Sequence, residues 1–202
     1  EYLQYGYYPY FTDGHFHEHL HSSLLQTLEV DIPTFAQMNV GTTRKLKTLL
    51  GIIAASVPFK PNMQAIARDL GISRNDISDL LFYLEKAGVI MQLRQTTEGI
   101  ALLGKVENVY LNNTNLMYLL ASENIEIGNV RETFFLSATN MTERVFASTI
   151  SDFQIGEYTF EVGGKKKGKK QLAEAKYGIV VRDDIEYASP AVIPLFAFGL
   201  LY

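Results

Sequence analysis

Cysteine is absent from all 202 residues. That excludes disulfides and thiolate metal sites and fits a reducing cytosol. A surplus of positive charge is lacking too. The formal net charge is −4, so the bulk field advertises no nucleic acid. A cut at Lys105 leaves nine basic and ten acidic residues before it and nine and twelve after it, so neither half is a basic domain. No long apolar run is present. The most apolar stretch, Ala191 to Tyr202, is too short to cross a bilayer and is broken by Pro194. It is expected to close a core. No signal peptide is visible, so a cytoplasmic protein without a membrane partner is expected. The chain begins at Glu1 rather than Met, which suggests a fragment or processed form with something missing upstream. Its length suits one large or two small domains.

The most informative stretch that is present runs from Asn62 to Ile90. Ala65, Ile66, Ala67 and Leu70 give a first helix its apolar face. Gly71 can take the left-handed conformation that ends it. Ser73 offers an N-cap, with Asp76 three residues on as a shortened capping box. Ile77, Leu80, Leu81 and Leu84 then recur at helical spacing, and Gly88 stops the second helix. The segments Val89 to Arg94 and Ile100 to Leu103 are expected to pair as a wing. A helix from Thr43 to Ser56, closed by Pro58, completes a three-helix core. This is the pattern of a winged helix-turn-helix. Arg74, Asn75 and Ser78 on the exposed face suit nucleic-acid contact. Asp76 and Asp79 repel phosphates, and from Lys60 to Lys105 six basic residues meet five acidic ones. A DNA-contacting helix and a protein-packing module both fit.

Before this module, Tyr2, Tyr5, Tyr7, Tyr8, Tyr10 and Phe11 crowd the start of the chain. They read as surface made to pack on the rest of the chain or on an absent upstream domain. A helix from about Phe16 to Val30 is expected to stop before Pro33. His15, His17, His19 and His21 alternate. On a helix they form two i, i+4 pairs, the spacing that can grip a metal. The pairs face nearly opposite ways, so a solvated helix start is expected.

From Glu107 onward a small mixed α/β unit is expected. It has a strand at Val109–Leu111, helices through Asn115–Leu120 and Arg131–Val145, and strands near Val145–Ile150 and Glu157–Val162. A Lys-rich turn, a helix around Gln171–Lys176 and a strand at Ile179–Val181 follow. Asp152, Glu161 and Lys165 form the candidate catalytic group. Two carboxylates at adjacent strand ends can hold Mg²⁺, with Glu132 as a third oxygen ligand. A lysine beside them can position water and steady charge on a phosphate. The segment Gly163 to Lys170 nearly matches the phosphate-binding loop G-x-x-x-x-G-K-[ST]. Lys170, however, stands where that loop needs a hydroxyl, and too little chain follows to finish a nucleotide-binding sheet. The near-match is read as coincidence. Five lysines within positions 165–170 still favour a polyanion, and Lys166, Lys167, Lys169 and Lys170 are the candidate nucleic-acid contacts there.

The segments YLQYGYYPYF, EVDIP, KLKTLLGIIAASVPFKPN, LGISRNDISDLLFYLEKAGVI, YLNNTNLMYLL, IGNVRETFF, SDF, FEVGGKKKGKKQ, VVRDDIE and IPLFAFGLLY occur in that order. Together they resemble the C-terminal half of a family of prokaryotic AAA-type ATP-binding proteins. The resemblance implies an upstream ATPase module, then a winged helix, then a restriction-endonuclease-like domain of PD-(D/E)xK type. The implied fold is α+β and multi-domain. Residues 1–40 would be a remnant of the ATPase lid, 41–105 the winged helix and 106–202 the nuclease-like domain. The resemblance places Glu132, Asp152 and Glu161 at the nuclease-like metal positions.

One departure stands out. The family's lysine lies two residues after the second acid, where this chain has Gly163, and the next lysine is Lys165. Two residues along a strand amount to roughly 7 Å. The expectation is therefore an accessory region of an AAA-type ATPase. It would bind DNA or dock on the upstream module, carry a degenerate nuclease-like domain and have no ATP site of its own. The alternatives are an active Mg²⁺-dependent nuclease and a winged-helix transcription regulator.

Overall fold

The computed structural model describes residues 2–12, 14–96, 105–120 and 125–201. The architecture is α+β. By contacts the chain forms two compact units, Glu1–Gln92 with Val109–Ile125, and Leu93–Asn108 with Glu126–Tyr202. The expected boundary near Lys105 lies between two strands through which the chain passes from one unit to the other. Among the described residues no helix is long and apolar enough to cross a membrane.

The first unit is largely helical. After a single turn, α1 (Tyr2–Tyr5), helix α2 (Phe16–Gln26) runs through a π-helical turn at Thr27–Asp31 into α3 (Ile32–Ala36). The expected stop before Pro33 does not occur. Pro33 sits in the first turn of α3, where its missing N–H disturbs little. The stop comes at Gln37, left-handed at φ 51°, and Met38 N–H closes back on the Pro33 carbonyl at 2.9 Å. Helix α4 spans Val40–Ala54 and is capped by Asn39, whose side chain accepts from Thr42 N–H at 2.9 Å. Its Leu46, Leu49 and Ile53 are fully buried.

The helix pair forms as its residues dictate. Helix α5 (Met63–Leu70) ends at Gly71, which is left-handed at φ 62°. Helix α6 (Arg74–Lys86) starts at Ser73 with the reciprocal capping box. Asp76 N–H donates to the Ser73 hydroxyl at 3.1 Å, and Ser73 N–H donates to the Asp76 carboxylate at 2.9 Å. Ile77, Leu80, Leu81 and Leu84 are all buried, as their spacing predicts. Strand β1 (Ile90–Arg94) pairs with β2 (Val106–Leu111). The expected partner at Ile100–Leu103 lies outside the described residues.

The aromatic start is built into this unit. Tyr5 meets Phe16 edge-on at 5.4 Å between ring centroids, and Tyr8 stacks on Tyr10 at 5.6 Å. Helix α7 (Thr114–Leu120) latches the segment. Asn115, 1% exposed, accepts from Tyr7 N–H at 2.9 Å and donates to the Leu3 carbonyl at 3.0 Å. Asn113 donates to the Tyr8 hydroxyl at 3.0 Å. Of the two partners left open for these aromatics, the rest of this chain is one they have. The four histidines are exposed along α2 and its N-cap, with the rings of His17 and His19 against Tyr5 and Tyr10 respectively.

The second unit carries a five-stranded sheet in the order β3-β4-β5-β6-β7. Strands β3 (Phe146–Ala147), β4 (Phe153–Ile155) and β5 (Tyr158–Gly163) are antiparallel neighbours. Strands β6 (Tyr177–Arg182) and β7 (Val192–Pro194) then add in parallel to β5. Helix α8 (Ile127–Thr139) packs on β5. Phe135 centres the aromatic core, with ring centroids 5.0 Å from Phe153, 5.3 Å from Phe160 and 4.7 Å from Phe198.

Three expected elements of this unit shift. The helix expected over Arg131–Val145 begins and ends earlier. The strand expected over Val145–Ile150 shrinks to two residues. The helix expected at Gln171–Lys176 is a 3₁₀ turn at Lys170–Glu174. In the terminal segment Leu195 is buried while Phe196 and Leu200 are exposed, so only part of it closes a core.

Asn115→Ala removes a buried amide that serves the backbone at both Leu3 and Tyr7. Leaving those groups unpaired is expected to cost about 2 kcal/mol. A lower urea midpoint with unchanged slope, and faster proteolysis at residues 2–12, is the expected result.

Candidate functional site

Strand β5 is central and buried from Thr159 to Gly163. Both faces of such a strand are covered, so a charged residue there needs a partner. Glu161 is that residue, with a side chain that is 0% exposed. Its neighbour across the sheet follows from register. Phe153 pairs with Phe160 and Gln154 with Thr159, and one further step sets Asp152 opposite Glu161. Residues opposite one another in an antiparallel pair share a face, so the two acids of the expected group do come together. The Asp152 carboxylate accepts from Val162 N–H at 2.8 Å.

The lysine is not the expected one. Lys165 is exposed and has no ion pair among the described residues. Lys167 pairs with Glu161 instead, through Nζ and Oε1. The reason lies at Gly163. A Cβ built there would fall 2.6–2.9 Å from the Cδ, Cγ and Cβ of Lys167. The stem of Lys167 thus lies where a side chain at position 163 would begin. The chain leaves that place empty with a glycine and refills it from four residues downstream.

The loop is held for this purpose. Arg182 Nε donates to the Lys167 carbonyl at 2.8 Å, Lys167 N–H to the Gly164 carbonyl at 2.8 Å, and Asp183 N–H to the Gly163 carbonyl at 2.9 Å. Arg131 on α8 covers Gly164 and bonds Asp183 at 2.8 Å.

Two further residues, which the sequence reading passed over, serve Glu161. The Ser151 hydroxyl donates to Oε2. The Gln171 amide, in the orientation that satisfies both its oxygen and its nitrogen, also donates to the carboxylate. Ser151 had a signal, since it adjoins Asp152. Gln171 had none, because its place beside Glu161 depends on the turn that follows the lysine loop.

The electrostatics match this crowding. Burial, opposed by the Val162 N–H and reinforced by the charge of Glu161, pushes the Asp152 carboxyl up from the usual 3.8 to about 6; Lys167 pulls the other way. Burial works to lower the Lys167 ammonium, but its bond to Glu161 and the charges of Glu161, Asp152 and Glu132 outweigh it, and the net shift is upward. Three acids therefore face one ammonium.

Glu132 contributes to that field through its charge. Among the described residues no three His, Asp or Glu side chains converge as a metal-holding group. Asp152 and Glu161 together offer two hard oxygen donors, the kind of set Mg²⁺ takes, since it often binds one or two carboxylates and keeps its other positions for water and phosphate. The donor chemistry and the raised Asp152 fit a divalent cation in that role.

The other candidates lie at the surface. Arg74, Asn75 and Ser78 are exposed on α6, with the Ser78 hydroxyl donating to the Arg74 carbonyl at 3.1 Å. Asp76 is committed to its cap, and its bonds to the side chain and backbone of Ser73 hold its carboxyl below the usual range. Asp76 and Asp79 both line a cleft with Thr42, Lys45 and Tyr83. Lys166, Lys169 and Lys170 are exposed, and Lys169 donates to the Pro190 carbonyl at 3.2 Å.

Residues 1–124 match the model of a family described as a domain of unknown function (DUF8612). That is more than half of the chain, and the chain belongs to this family. The match ends before α8, so Glu132, Asp152, Glu161 and Lys167 lie beyond it. Neither the curated proteins nor the solved structures contain a match to this chain.

Because the folded Asp152 holds its proton more tightly than the unfolded chain does, its contribution to stability is full below about pH 4. It is lost as the pH rises through about 6. Asp152→Asn keeps the oxygen that accepts from Val162 and removes the charge. With chelator present, it is expected to raise the unfolding free energy at pH 8 by up to about 3 kcal/mol and to change it little at pH 4. Equal effects at both pH values would contradict this placement of the charge.

Proposed function

We propose that the C-terminal unit is a metal-dependent phosphodiesterase module of restriction-endonuclease-like, PD-(D/E)xK type. The helix pair of the first unit is read as a winged helix that contacts DNA. The observation that carries the reading is the grouping of Asp152, Glu161 and Lys167 at the meeting of β4, β5 and the loop after β5. The displaced lysine argued for a degenerate site. Lys167, which reaches Glu161 by another path, supports an intact one instead. An antiparallel β3-β4-β5 meander, extended in parallel by β6 with a helix packed on β5, supports the same reading.

The roles follow from the chemistry. Asp152 and Glu161 would hold a divalent cation, which supplies Lewis-acid stabilisation of the phosphate and a more acidic water. Lys167 places an ammonium beside the reacting phosphate. Lys166, Lys169 and Lys170 meet the flanking polyanion, and Arg74, Asn75 and Ser78 meet DNA on the first unit. In the full protein these parts would serve as the C-terminal region of an AAA-type ATPase. A second reading, a docking module without catalysis, is favoured by one observation: Glu161 is already served by Lys167, Ser151 and Gln171.

The test is incubation of the protein with labelled single- and double-stranded DNA in Mn²⁺ or Mg²⁺. Cleavage is expected from the native chain and from Lys165→Ala. Asp152→Ala and Glu161→Gln should reduce it at least about a hundredfold, the scale of losing a group that stabilises transition-state charge. Lys167→Ala should fall similarly, with Gly163→Lys/Lys167→Ala recovering part of the loss. DNA binding that weakens with salt but never leads to cleavage would favour the docking reading.

A further inference from the structure

We propose that Lys167 is a displaceable counter-ion, so that cation loading and phosphate capture at this site are coupled through one side chain. The inference rests on the metal-dependent reading above and specifies how that site is regulated. Glu161 is sealed from water, and a sealed carboxylate without a partner is strongly disfavoured. In the arrangement seen here Lys167 answers that need, with help from Ser151 and Gln171. A divalent cation on Asp152 and Glu161 answers the same need. A divalent cation at that carboxylate repels the Lys167 ammonium at close range, most strongly where water is excluded. Lys167 therefore leaves Glu161 when the cation site fills.

The loop is built for that exchange. The backbone of Lys167 is pinned by Arg182 and by its bond to Gly164. Its side chain is not enclosed, being 34% exposed and lying on the bare backbone of Gly163. The pivot stays fixed while the ammonium swings outward. Lys166 and Lys170 are exposed on the same loop, so the released ammonium joins a cationic surface suited to phosphate oxygens. Cation first, phosphate second is the order this predicts. Without a cation the ammonium is held on Glu161 and the loop is one charge poorer toward a polyanion.

Isothermal titration of MnCl₂ and MgCl₂ into the native protein and into Lys167→Met tests the exchange. Lys167→Met removes the competitor while keeping the stem, and is expected to bind on the order of tenfold more tightly or better. Should Lys167→Met fail to fold, the native protein gives an independent reading by lysine acetylation and mass spectrometry. Modification of Lys167 is expected to rise severalfold at saturating Mg²⁺ while that of Lys165 stays constant. Equal or weaker cation binding by Lys167→Met, or Lys167 labelling that stays flat or falls with Mg²⁺, overturns the inference and leaves the phosphodiesterase reading standing. Absence of cation binding in both proteins overturns that reading and the inference with it.

Discussion

A carboxylate in the middle of a buried strand is a demand placed on everything around it. Glu161 sits on β5 with no access to water. The effective cost of burying a lone ion is several kcal/mol, so donors must be brought to it from other parts of the chain. They arrive from three directions. Ser151 comes from the turn before β4, Lys167 from the loop after β5 and Gln171 from the 3₁₀ turn beyond. Each depends on a local feature that would otherwise look incidental. The antiparallel register brings Ser151 and Asp152 across. The missing side chain at Gly163 makes room for the lysine stem, and Arg182 holds the lysine's carbonyl. Asp152, drawn into the same region, is the member left under electrostatic stress. Groups in that condition cluster at functional sites, where stability is given up for reactivity.

The first unit solves a more ordinary problem with similar means. Its helices bury aliphatic stripes, and polar side chains settle the places where backbone groups lose their partners. Asn39, Asn62 and Ser73 cap three successive helices. Asn115 does the same for a segment with little regular structure, giving the N-terminal residues both a donor and an acceptor. The aromatic start thus belongs to this unit's own packing. The family match over residues 1–124 covers this unit together with its latch.

Much of the first unit was legible because its signals are local. The turn at Gly71, the capping box at Ser73 and Asp76, and the stripe from Ile77 to Leu84 all act within four residues, and each appears where expected. The exposed histidines of α2 were legible for the same reason. Local signals failed where a competing geometry won. Pro33 reads as a stop, yet the helix continues through it, a π turn at Thr27–Asp31 leading into α3. The wing's second strand falls outside the described residues, and β1 pairs with Val106–Leu111.

The site divides along the same line. Sequence alone singled out Asp152 and Glu161 as a candidate pair of acids, because both stand at segments of strand character and both match the acids of the family the chain resembles. It also determined that the loop between Gly163 and Lys170 is rich in lysine. Only the tertiary structure decided which lysine serves. Spacing along a strand pointed to Lys165, but the chain leaves the strand at Gly163, and beyond that point distance is no longer counted in residues. The loop turns back and lays the stem of Lys167 on the glycine. Gln171 arrives by the same fold of the chain. A contact made by returning chain has no period to read. It exists because a buried charge must be met, and because one position was left without a side chain.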